Sequence, residues 1–545
     1  MINLRHVYID DGVKLPAEIG RLTCLQTLRH FRVGDHKGYR IEELGSLKNL
    51  KGKLKISSLE KVHSKEEAEK AKIFEKPNLF DLGFEWDEKR EGERNDDEGV
   101  LEGLQPHANA NLKKLEIDGF KGKRFPEWIE KMAVRDGPQA SWLPLTNLIQ
   151  ITLERCSECE EIPQLEHLPN LKSLSLIGLE KVRFINSSFN NLTSLKIEEL
   201  EGLECLPDWL FYKNQNLSEL EIWKCPRLRE LPDGLDTLNS LEKLTIYECR
   251  NVKSIGNPSG REGQSQGILR ELRIQSCEGL MVLPRQMLES WAPTIESLEL
   301  NGLSSLENLP LVIDCLAKAA SLRELTIVGV PKFFMSTDSV KSWGLGCLRE
   351  LQIDVSEEWS MESSVGIKQT VDALLQPCCN SLISFELKGV ENWEWLPESI
   401  QHLTALDWLE LHNLGVEELP EWLGNLPSLG WLYINSCNKL RRLPSCWGDA
   451  LEELHIDNCG ELEELPEWLR KLPSLRVLHL NSCNKLRRLP SCWGDALKWL
   501  NIKDCGELGI DPIPAEWHNN FPNLTVWVDG RKIKPCSMPA KLQQC

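Results

Sequence analysis

The chain has 545 residues, of which 41% are hydrophobic and 27% are charged, as in globular and not in disordered proteins. Its formal net charge of −19 and pI near 5.2 argue against a general binder of nucleic acids or anionic membranes. The sequence contains neither an apolar run of roughly 18 residues nor the features of a signal peptide, so we expect a soluble protein inside the cell.

A motif of the form LxxLxL recurs along the whole chain. Clear copies are LKSLSL at Leu171–Leu176, LSELEI at Leu217–Ile222 and LRVLHL at Leu475–Leu480. With weaker copies included, about 21 starts occur between Leu4 and Leu524, spaced 21 to 36 residues apart. This is the period of leucine-rich repeats. It predicts an α/β solenoid, a horseshoe of about 21 irregular repeats with a parallel β-sheet on the concave face.

The repeats predict one solenoid over residues 1–530, followed by a C-terminal tail at 531–545. A helical and acidic insertion is expected at about 60–100, where Val62–Lys76 is predicted to be a helix and Glu85–Gly99 a charged loop. Two further segments, Gly256–Gly267 and Asp354–Gly366, are predicted to be loops between repeats.

A second apolar element, usually LPxW, follows many of the strands. Its copies are FPEW at Phe125–Trp128, LPDW at Leu206–Trp209 and LPEW at both Leu419–Trp422 and Leu465–Trp468. We expect the proline to end the preceding turn, and the Leu and Trp to pack on the outer side of the coil.

Eight of the 19 cysteines lie eight residues after the first Leu of their repeat. This is the Asn/Cys position of the repeat, where a small side chain turns inward, so buried free thiols are predicted. Disulfides between adjacent repeats are sterically allowed but are not expected in a reducing compartment. Cys156 and Cys159 form a lone CxxC, too little for a metal site. The eight residues are Cys156, Cys225, Cys249, Cys277, Cys437, Cys459, Cys483 and Cys505.

The 46-residue blocks Leu419–Glu464 and Leu465–Ile510 are consecutive and identical at 33 positions, which indicates a tandem duplication of two repeats. Their turns alternate between CNKLRRLP and CGELEELP. We expect Lys439, Arg441 and Arg442 to face Glu461, Glu463 and Glu464, which in turn face Lys485, Arg487 and Arg488. This charge ladder is favoured over an anion-binding patch.

The differences between the two copies concentrate at positions expected to point out from the strand face. Seven of eight such positions differ, whereas the other 38 positions contribute six differences. Drift at exposed sites is one explanation, and a fixed scaffold whose recognition surface has changed is the other. The differing pairs are Gly430/Arg476, Trp431/Val477, Tyr433/His479, Glu452/Lys498, Glu453/Trp499, His455/Asn501 and Asp457/Lys503.

This face is rich in Trp, Tyr, His and Arg, and Trp, Tyr and Arg are enriched at the energetic centres of protein interfaces. We therefore predict a protein-binding surface there. For the group around Trp408, incidental packing against a neighbouring loop is the alternative. The predicted contact residues are Trp408, Glu410, Trp431, Tyr433, Glu452, Glu453, His455, Arg476, His479, Lys498 and Trp499, with Trp223 and Tyr247 as a smaller upstream pair.

Motifs of common enzymes are absent from the sequence: it has no GxxxxGK[ST], no GxGxxG after a strand, no HExxH and no GxSxG. The isolated His and Cys residues have explanations as parts of the repeat. We expect no catalytic residue, no metal site and no cofactor in this chain.

Five segments resemble the leucine-rich repeat region of plant coiled-coil-type NLR (NB-ARC-LRR) disease resistance proteins. In chain order they are MINLRHV (Met1–Val7), GSLKNLKGKLKISSLEKV (Gly45–Val62), KEEAEKAKIFEKPNLFDLGFEWD (Lys65–Asp87), KLEIDGFKGKRFPEWI (Lys114–Ile129) and LERCSECEEIPQLEHLPNLKSLSL (Leu153–Leu176).

The resemblance implies a non-catalytic scaffold for innate immunity. In that family, the repeats sense pathogen effectors and restrain a nucleotide-binding switch. The implied partners are an effector or a guarded host protein, and an NB-ARC domain in cis or in trans. The implied location is the cytoplasm, with the nucleus as an alternative.

The chain departs from the family in lacking the coiled coil and the NB-ARC domain, which would bind ATP or ADP. Met1 falls where such receptors have an internal repeat residue, so a fragment, a truncated product and a separately encoded repeat all stay open. Two other classes are weighed. An extracellular repeat ectodomain would have regular LxGxIP repeats, and a ubiquitin-ligase adaptor would have a helical module before the repeats. Neither feature is found.

Overall fold

In the computed structural model, the chain forms two compact units, Met1–Trp291 and Ala292–Cys545, and each is described here by itself. Both are built from the repeating unit that the sequence predicts. The structure describes residues 3–8, 15–89, 96–107, 111–135, 140–258, 268–316, 321–330, 345–355, 364–490, 493, 495–508 and 524–533.

The first unit contains a parallel sheet in which β3, β4, β5, β6 and β9 to β14 pair in chain order. A short parallel pair, β1–β2, and a short antiparallel pair, β7–β8, lie outside it. The strands are β1 (His6–Val7), β2 (Thr27–Leu28), β3 (His30–Arg32), β4 (Lys51–Ser57), β5 (Asn78–Glu85), β6 (Lys114–Asp118), β7 (Ala133–Val134), β8 (Leu143–Pro144), β9 (Gln150–Glu154), β10 (Ser173–Ile177), β11 (Ser194–Glu198), β12 (Glu219–Trp223), β13 (Lys243–Tyr247) and β14 (Glu271–Gln275).

The second unit contains ten strands, β15 to β24, that pair in parallel and in chain order, and β25 pairs antiparallel with β24. The strands are β15 (Ser297–Asn301), β16 (Glu324–Val328), β17 (Glu350–Asp354), β18 (Ser384–Lys388), β19 (Trp408–His412), β20 (Trp431–Asn435), β21 (Glu453–Asp457), β22 (Val477–Asn481), β23 (Trp499–Lys503), β24 (Thr525–Val528) and β25 (Arg531–Ile533).

Short helices and 3-10 turns connect the strands. The α-helices are α1 (Lys65–Glu69), α2 (Asp97–Gly103), α3 (Glu127–Glu130), α4 (Leu210–Lys213), α5 (Arg285–Trp291), α6 (Leu309–Leu316) and α7 (Ser364–Leu375). The 3-10 turns are Ile19–Arg21, Ile41–Ser46, Leu59–Lys61, Ile73–Glu75, Leu235–Thr237, Gln376–Cys378, Glu398–His402, Glu421–Asn425 and Glu467–Lys471.

The core follows from the alternation within LxxLxL. In a five-residue strand the second and fourth side chains point inward, and parallel pairing in register places equivalent leucines beside each other. Leu409, Leu432, Leu454, Leu478 and Leu500 pair in this way across β19 to β23, and each is at most 1% exposed. The predicted repeat and its parallel sheet are confirmed.

The residue before each cysteine of the repeat has a left-handed backbone, which turns the chain inward at the end of the strand. The eight φ values lie between 50° and 56°, although none of these residues is glycine. The backbone N–H at this position donates to the next strand, as from Ser436 to Asp457 O at 2.9 Å and from Asn458 to Asn481 O at 2.8 Å. These bonds hold a conformation that disfavours most side chains.

The cysteines occupy the predicted inward position as free thiols. Seven of the eight are buried and Cys505 is partly exposed. Their sulfurs contact carbonyl oxygens of the preceding strand, such as Cys249 to Ile222 O at 3.8 Å and Cys483 to Ile456 O at 3.6 Å. The CxxC cysteines, Cys156 and Cys159, are also buried and free, and burial raises the pKa of both thiols.

Two expectations about the connections need correction. The segment 60–100 is not a simple insertion, because it contains α1, the strand β5 and the beginning of α2. The predicted helix Val62–Lys76 shortens to Lys65–Glu69, where Ser64 Oγ accepts a hydrogen bond from Glu67 N, and a 3-10 turn follows it. The segment expected to be an insertion between repeats therefore contains a repeat of its own, with the strand β5 and an unusual helical connection.

In the LPxW elements, the residue after Trp supplies much of the packing. Ile129, Leu210, Leu423 and Leu469 are each at most 1% exposed. Trp128 is buried as expected, and its indole N–H donates to Leu101 O at 2.9 Å. The other three tryptophans of the motif are only half-buried: Trp209, Trp422 and Trp468.

Several predicted loops fall partly outside the described residues. These are 90–95 of Glu85–Gly99, 259–267 of Gly256–Gly267 and 356–363 of Asp354–Gly366. The predicted tail at 531–545 begins with β25, and residues 534–545 lie outside the described part of the chain.

The charge ladder is confirmed for one pair and shifted for others. Lys485 Nζ lies 2.7 Å from Glu461 Oε1, as predicted. Arg487 Nε contacts Glu507 Oε2 on the next repeat at 2.6 Å. The basic residues of the first copy contact upstream acids, in the pairs Lys439–Glu394, Arg441–Glu417 and Arg442–Glu418. These basic side chains are thus paired within the unit, although exposed pairs contribute only about 0–1 kcal/mol each.

Candidate recognition surface

The register of β19 to β23 arranges their outward side chains in three columns, which together we call the variable face. In parallel strands, equivalent positions of neighbouring repeats lie about 4.8 Å apart, so the five strands span about 19 Å. The columns are Trp408, Trp431, Glu453, Val477 and Trp499; Glu410, Tyr433, His455, His479 and Asn501; and His412, Asn435, Asp457, Asn481 and Lys503.

Two tryptophans stack at one end of the first column. The ring centroids of Trp408 and Trp431 are 4.7 Å apart and their planes are inclined by 16°. The Trp408 indole N–H also donates to Glu410 Oε1 at 2.6 Å. Trp408 remains 36% exposed, so the stack offers a broad and rigid apolar surface.

The middle of the face is a continuous line of rings. Tyr433 meets His412 edge-on at 5.3 Å and His455 edge-on at 6.0 Å, and His455 stacks on His479 at 5.5 Å. Edge-to-face and offset geometries are the favourable ones for aromatic pairs. The rings hold one another in place, and the surface is therefore largely formed before any partner arrives.

Asp457, in the third column, contacts two members of this line of rings, Tyr433 and His479. Its Oδ2 accepts a hydrogen bond from the Tyr433 hydroxyl at 3.0 Å, while its Oδ1 lies 3.5 Å from His479 Nε2. Burial, with Asp457 as the second cause, raises the pKa of Tyr433 to about 12. Burial lowers the pKa of His479 against the opposing pull of Asp457. Asp457 Oδ1 is buried and makes no hydrogen bond.

The remaining predicted residues occupy the edges of the face. Glu452 and Arg476 form an ion pair at 3.2 Å, and Glu453 Oε2 lies 3.3 Å from His455 Nε2. Lys498 and Trp499 are exposed, and Trp499 is separated from the tryptophan stack by two intervening strands.

Gly430 corrects one detail of the prediction, because it is buried and does not lie on the exposed face. A Cβ at this position would lie 2.5 Å from Asp407 Oδ1. The equivalent residue in the second copy, Arg476, is exposed. This difference between the copies therefore changes local packing as well as surface chemistry.

Trp223 and Tyr247 form their own pair in the first unit. Their centroids are 4.9 Å apart with a 43° inclination, and Lys196 Nζ lies 5.9 Å from the Trp223 ring. The two rings are adjacent, as the sequence predicts, and a role of this pair in protein binding stays a prediction.

Sequence reasoning missed Glu386 as a neighbour of the variable face. It pairs in register with Glu410, and His412 Nε2 lies 3.9 Å from Glu386 Oε1 and 3.0 Å from Glu410 Oε2. Within the described residues, Glu386, Glu410 and His412 are grouped closely enough to hold a metal ion. Aligning the strand sequences FELK and LELH could have found this neighbour, because Glu386 and Glu410 occupy the same position in them.

Comparison with known proteins agrees with this architecture. Residues 41–179 and 187–249 match a protein-family model described as R13L1/DRL21 LRRs. The chain is 30% identical over 295 residues to disease resistance protein RGA2 of Solanum bulbocastanum, covering 53% of this chain and 27% of that protein. These matches support a leucine-rich repeat region similar to those of plant disease resistance proteins. Proteins of this fold and family are typically non-catalytic scaffolds that mediate protein interactions.

A second protein to which the chain is similar is disease resistance protein RPP4 of Arabidopsis thaliana, at 26% identity over 389 residues, covering 61% of this chain and 32% of RPP4. The chain spans about a quarter to a third of the length of the relatives that it matches. Among solved structures, a leucine-rich repeat protein of Leptospira interrogans matches with a TM-score of 0.38 and 19% identity, over 85% of this chain and 92% of that one. Within the described residues, no helix is both long and apolar enough to cross a membrane.

Proposed function

We propose that this chain is the effector-sensing and autoregulatory repeat region of a cytoplasmic plant immune receptor. In this proposal the variable face contacts a pathogen effector or a guarded host protein, and the repeats restrain an NB-ARC nucleotide switch in cis or in trans. The chain itself performs no catalysis and binds no nucleotide.

The supporting observation is the contrast between the two copies of the duplicated block. Seven of eight predicted outward positions diverged while the leucines of the core were kept, apart from one exchange of Ile434 for Leu480. Drift alone would also reach other exposed residues. Asn438 and Asp449 are exposed, and their counterparts Asn484 and Asp495 are exposed and identical, although the exposed Asn458 is replaced by Asp504. Divergence is thus concentrated on the strand face without being confined to it.

The chemistry of the face favours a protein over a small molecule. Ligand sites for small molecules are concave and enclose most of the ligand, whereas the variable face is a line of half-exposed rings about 19 Å wide. Cavities of 900 and 730 Å³ are lined by residues of the first unit, and none of these lining residues belongs to the variable face. Rigid aromatic side chains flanked by charges are characteristic of protein interfaces.

A binary interaction panel tests this function. The full chain, with or without a co-expressed NB-ARC domain, is screened against pathogen effectors and the host proteins that those effectors target. We expect at least one partner whose binding is lost in both Trp431→Ala and Trp499→Ala. Trp422→Ala is the matched control, because Trp422 is a half-buried tryptophan of an LPxW element and not of the strand face. Partners that respond equally to all three variants would contradict the proposal.

A further inference from the structure

Glu386 and Glu410 create an unusual charge arrangement beside the variable face. They occupy directly opposed positions on β18 and β19. Like charges at opposed positions destabilise a sheet. Within the described residues, neither carboxylate has a lysine or arginine within 4.0 Å, and His412 contacts both.

The first unit contains two glutamates that share a cation. Glu85 and Glu116 lie diagonally on the neighbouring strands β5 and β6, and Lys55 Nζ on β4 is 2.8 Å from a carboxylate oxygen of each. A lysine therefore supplies the shared cation there. The group shared by Glu386 and Glu410 is instead an imidazole, which also serves as a metal ligand when it is neutral.

The three side chains have the chemistry and spacing of a metal site. Their ligand atoms all lie within 4.8 Å of one another. A tetrahedral Zn²⁺ with bonds of about 2.0–2.2 Å places its ligand atoms roughly 3.5 Å apart, so side-chain shifts of roughly 1 Å would complete the geometry. Two carboxylates and one imidazole suit Zn²⁺ better than Mg²⁺ or Ca²⁺, which prefer oxygen ligands alone.

Neighbouring groups already orient the ligands. The Trp408 indole N–H holds Glu410 through Oε1, which leaves Oε2 directed at His412. A Gln352 side chain is hydrogen-bonded to Glu386. The His412 ring packs against the edge of Tyr433. Such outer contacts fix the direction of metal ligands and contribute to metal affinity.

We propose that Glu386, Glu410 and His412 bind a divalent transition-metal ion of the Zn²⁺ class. The bound ion neutralises both carboxylates and ties β18 to β19. Because all three ligands are part-exposed, the ion keeps coordination positions open to water or to a carboxylate or imidazole of a bound protein. The proposal concerns the isolated chain and stands independently of the receptor function above.

Cobalt titration of the metal-free full chain tests the site, with exposed thiols alkylated beforehand because Cys205, Cys347 and Cys446 are themselves accessible ligands. We expect one equivalent of Co²⁺ with ligand-field absorption, displaced by Zn²⁺. Glu386→Gln and His412→Ala should each weaken binding by at least about tenfold. Trp408→Phe keeps a stacking ring but removes the donor to Glu410, and should weaken binding about tenfold.

His455→Ala is the matched control. Glu453 and His455 repeat the Glu-x-His spacing two strands away, but the residue in register with Glu453 on the preceding strand is Trp431, where a second carboxylate would be needed. This variant should bind Co²⁺ like the unchanged chain, and circular dichroism checks that every variant is folded. Three outcomes would overturn the proposal: no Co²⁺ binding, equal binding by folded Glu386→Gln and His412→Ala, or a thiolate-to-cobalt charge-transfer band that accounts for all bound metal.

Discussion

Trp408 and Trp431 stack across two adjacent repeats, with ring centroids 4.7 Å apart and planes inclined by 16°. The two residues are 23 positions apart in the chain, and their contact exists because β19 and β20 pair in register. The stack lies at the outward surface, directly above Leu409 and Leu432, which are buried. Neighbouring residues of one strand therefore differ in burial, and under the proposed function the outward residues recognise a partner while the inward ones pack the core.

The first prediction separates these roles. Leu432→Ala removes a side chain that is 1% exposed and should lower the free energy of unfolding by about 2–5 kcal/mol. Trp431→Ala removes a stacked but partly exposed ring and should cost about 0.5–1.5 kcal/mol for the lost stack, plus a smaller burial term. Urea unfolding followed by circular dichroism compares the two variants.

In a binding assay the order of Leu432→Ala and Trp431→Ala should reverse, because Trp431 lies on the variable face and Leu432 lies in the core. Trp431→Ala and Tyr433→Ala should each weaken a partner of the variable face by about 2 kcal/mol or more. If Trp431→Ala unfolds the protein as readily as Leu432→Ala, the tryptophan is a packing residue and recognition occurs elsewhere.

The second prediction concerns the left-handed turn after each strand. Ser436 has φ of 56° and precedes the buried Cys437. Ser436→Gly relieves the steric cost of this conformation and should raise stability by up to about 1 kcal/mol. Ser436→Val adds a branched Cβ and should lower stability by at least about 1 kcal/mol. The measurement is thermal unfolding of both variants. If Ser436→Val unfolds at a higher temperature than Ser436→Gly, the turn has relaxed to another conformation.

The repeating strand could be predicted from sequence because its evidence is local. Alternation within six residues, and a cysteine at a fixed offset, determine which side chains point inward, as at Leu432 and Cys437. The length of α1 was overestimated because Val62–Lys76 has helical composition throughout. In the structure the helix ends at Glu69, the backbone of Lys72 is left-handed with φ of 51°, and a 3-10 turn follows.

Long-range pairs could not be assigned without the register. Glu386 and Glu410 are 24 residues apart, as are Tyr433 and Asp457, and only strand pairing reveals that the members of each pair are neighbours. The charge ladder shows the same limit. The predicted Lys485–Glu461 pair forms, yet Arg487 reaches Glu507 on the following repeat, because a long flexible side chain can extend in either direction along the stack.

The third prediction is that all 19 cysteines are free thiols. Ten of the described cysteines are buried, and burial raises the pKa of Cys437 to about 11 and that of Cys277 to about 12. The thiolate is the reactive form, so these residues should be alkylated slowly in the folded protein. The exposed Cys205, Cys347 and Cys446 should react first.

Mass spectrometry after timed alkylation measures this order, and a parallel reaction in denaturant without reductant counts the total. Recovery of close to 19 labels is the expected result. Adjacent thiols such as Cys225 and Cys249 are near enough to influence each other's pKa. A consistent loss of such pairs as disulfides would indicate an oxidising compartment and would remove support for a cytoplasmic receptor.

The fourth prediction concerns Lys76, which is 1% exposed and has an ammonium group bonded to two backbone carbonyls, Ala71 O at 3.0 Å and Lys72 O at 3.1 Å. Burial lowers the pKa of Lys76 to about 8. In the unfolded chain its pKa is about 10.4. Between these two values the unfolded state binds more protons than the folded state, so the contribution of Lys76 to stability rises with pH and falls as pH drops back towards 8.

The full change is about 3 kcal/mol, from a pKa difference of about 2.4 at roughly 1.4 kcal/mol for each unit. Many other groups titrate over this range, so the measurement is a difference between two proteins. Urea midpoints of the unchanged chain and of Lys76→Met are compared at pH 8 and pH 10. We expect the unchanged chain to gain stability relative to Lys76→Met as the pH rises. Parallel pH dependence in the two proteins would mean that Lys76 is already solvated in the folded state, because only a buried ammonium group is penalised relative to the unfolded chain.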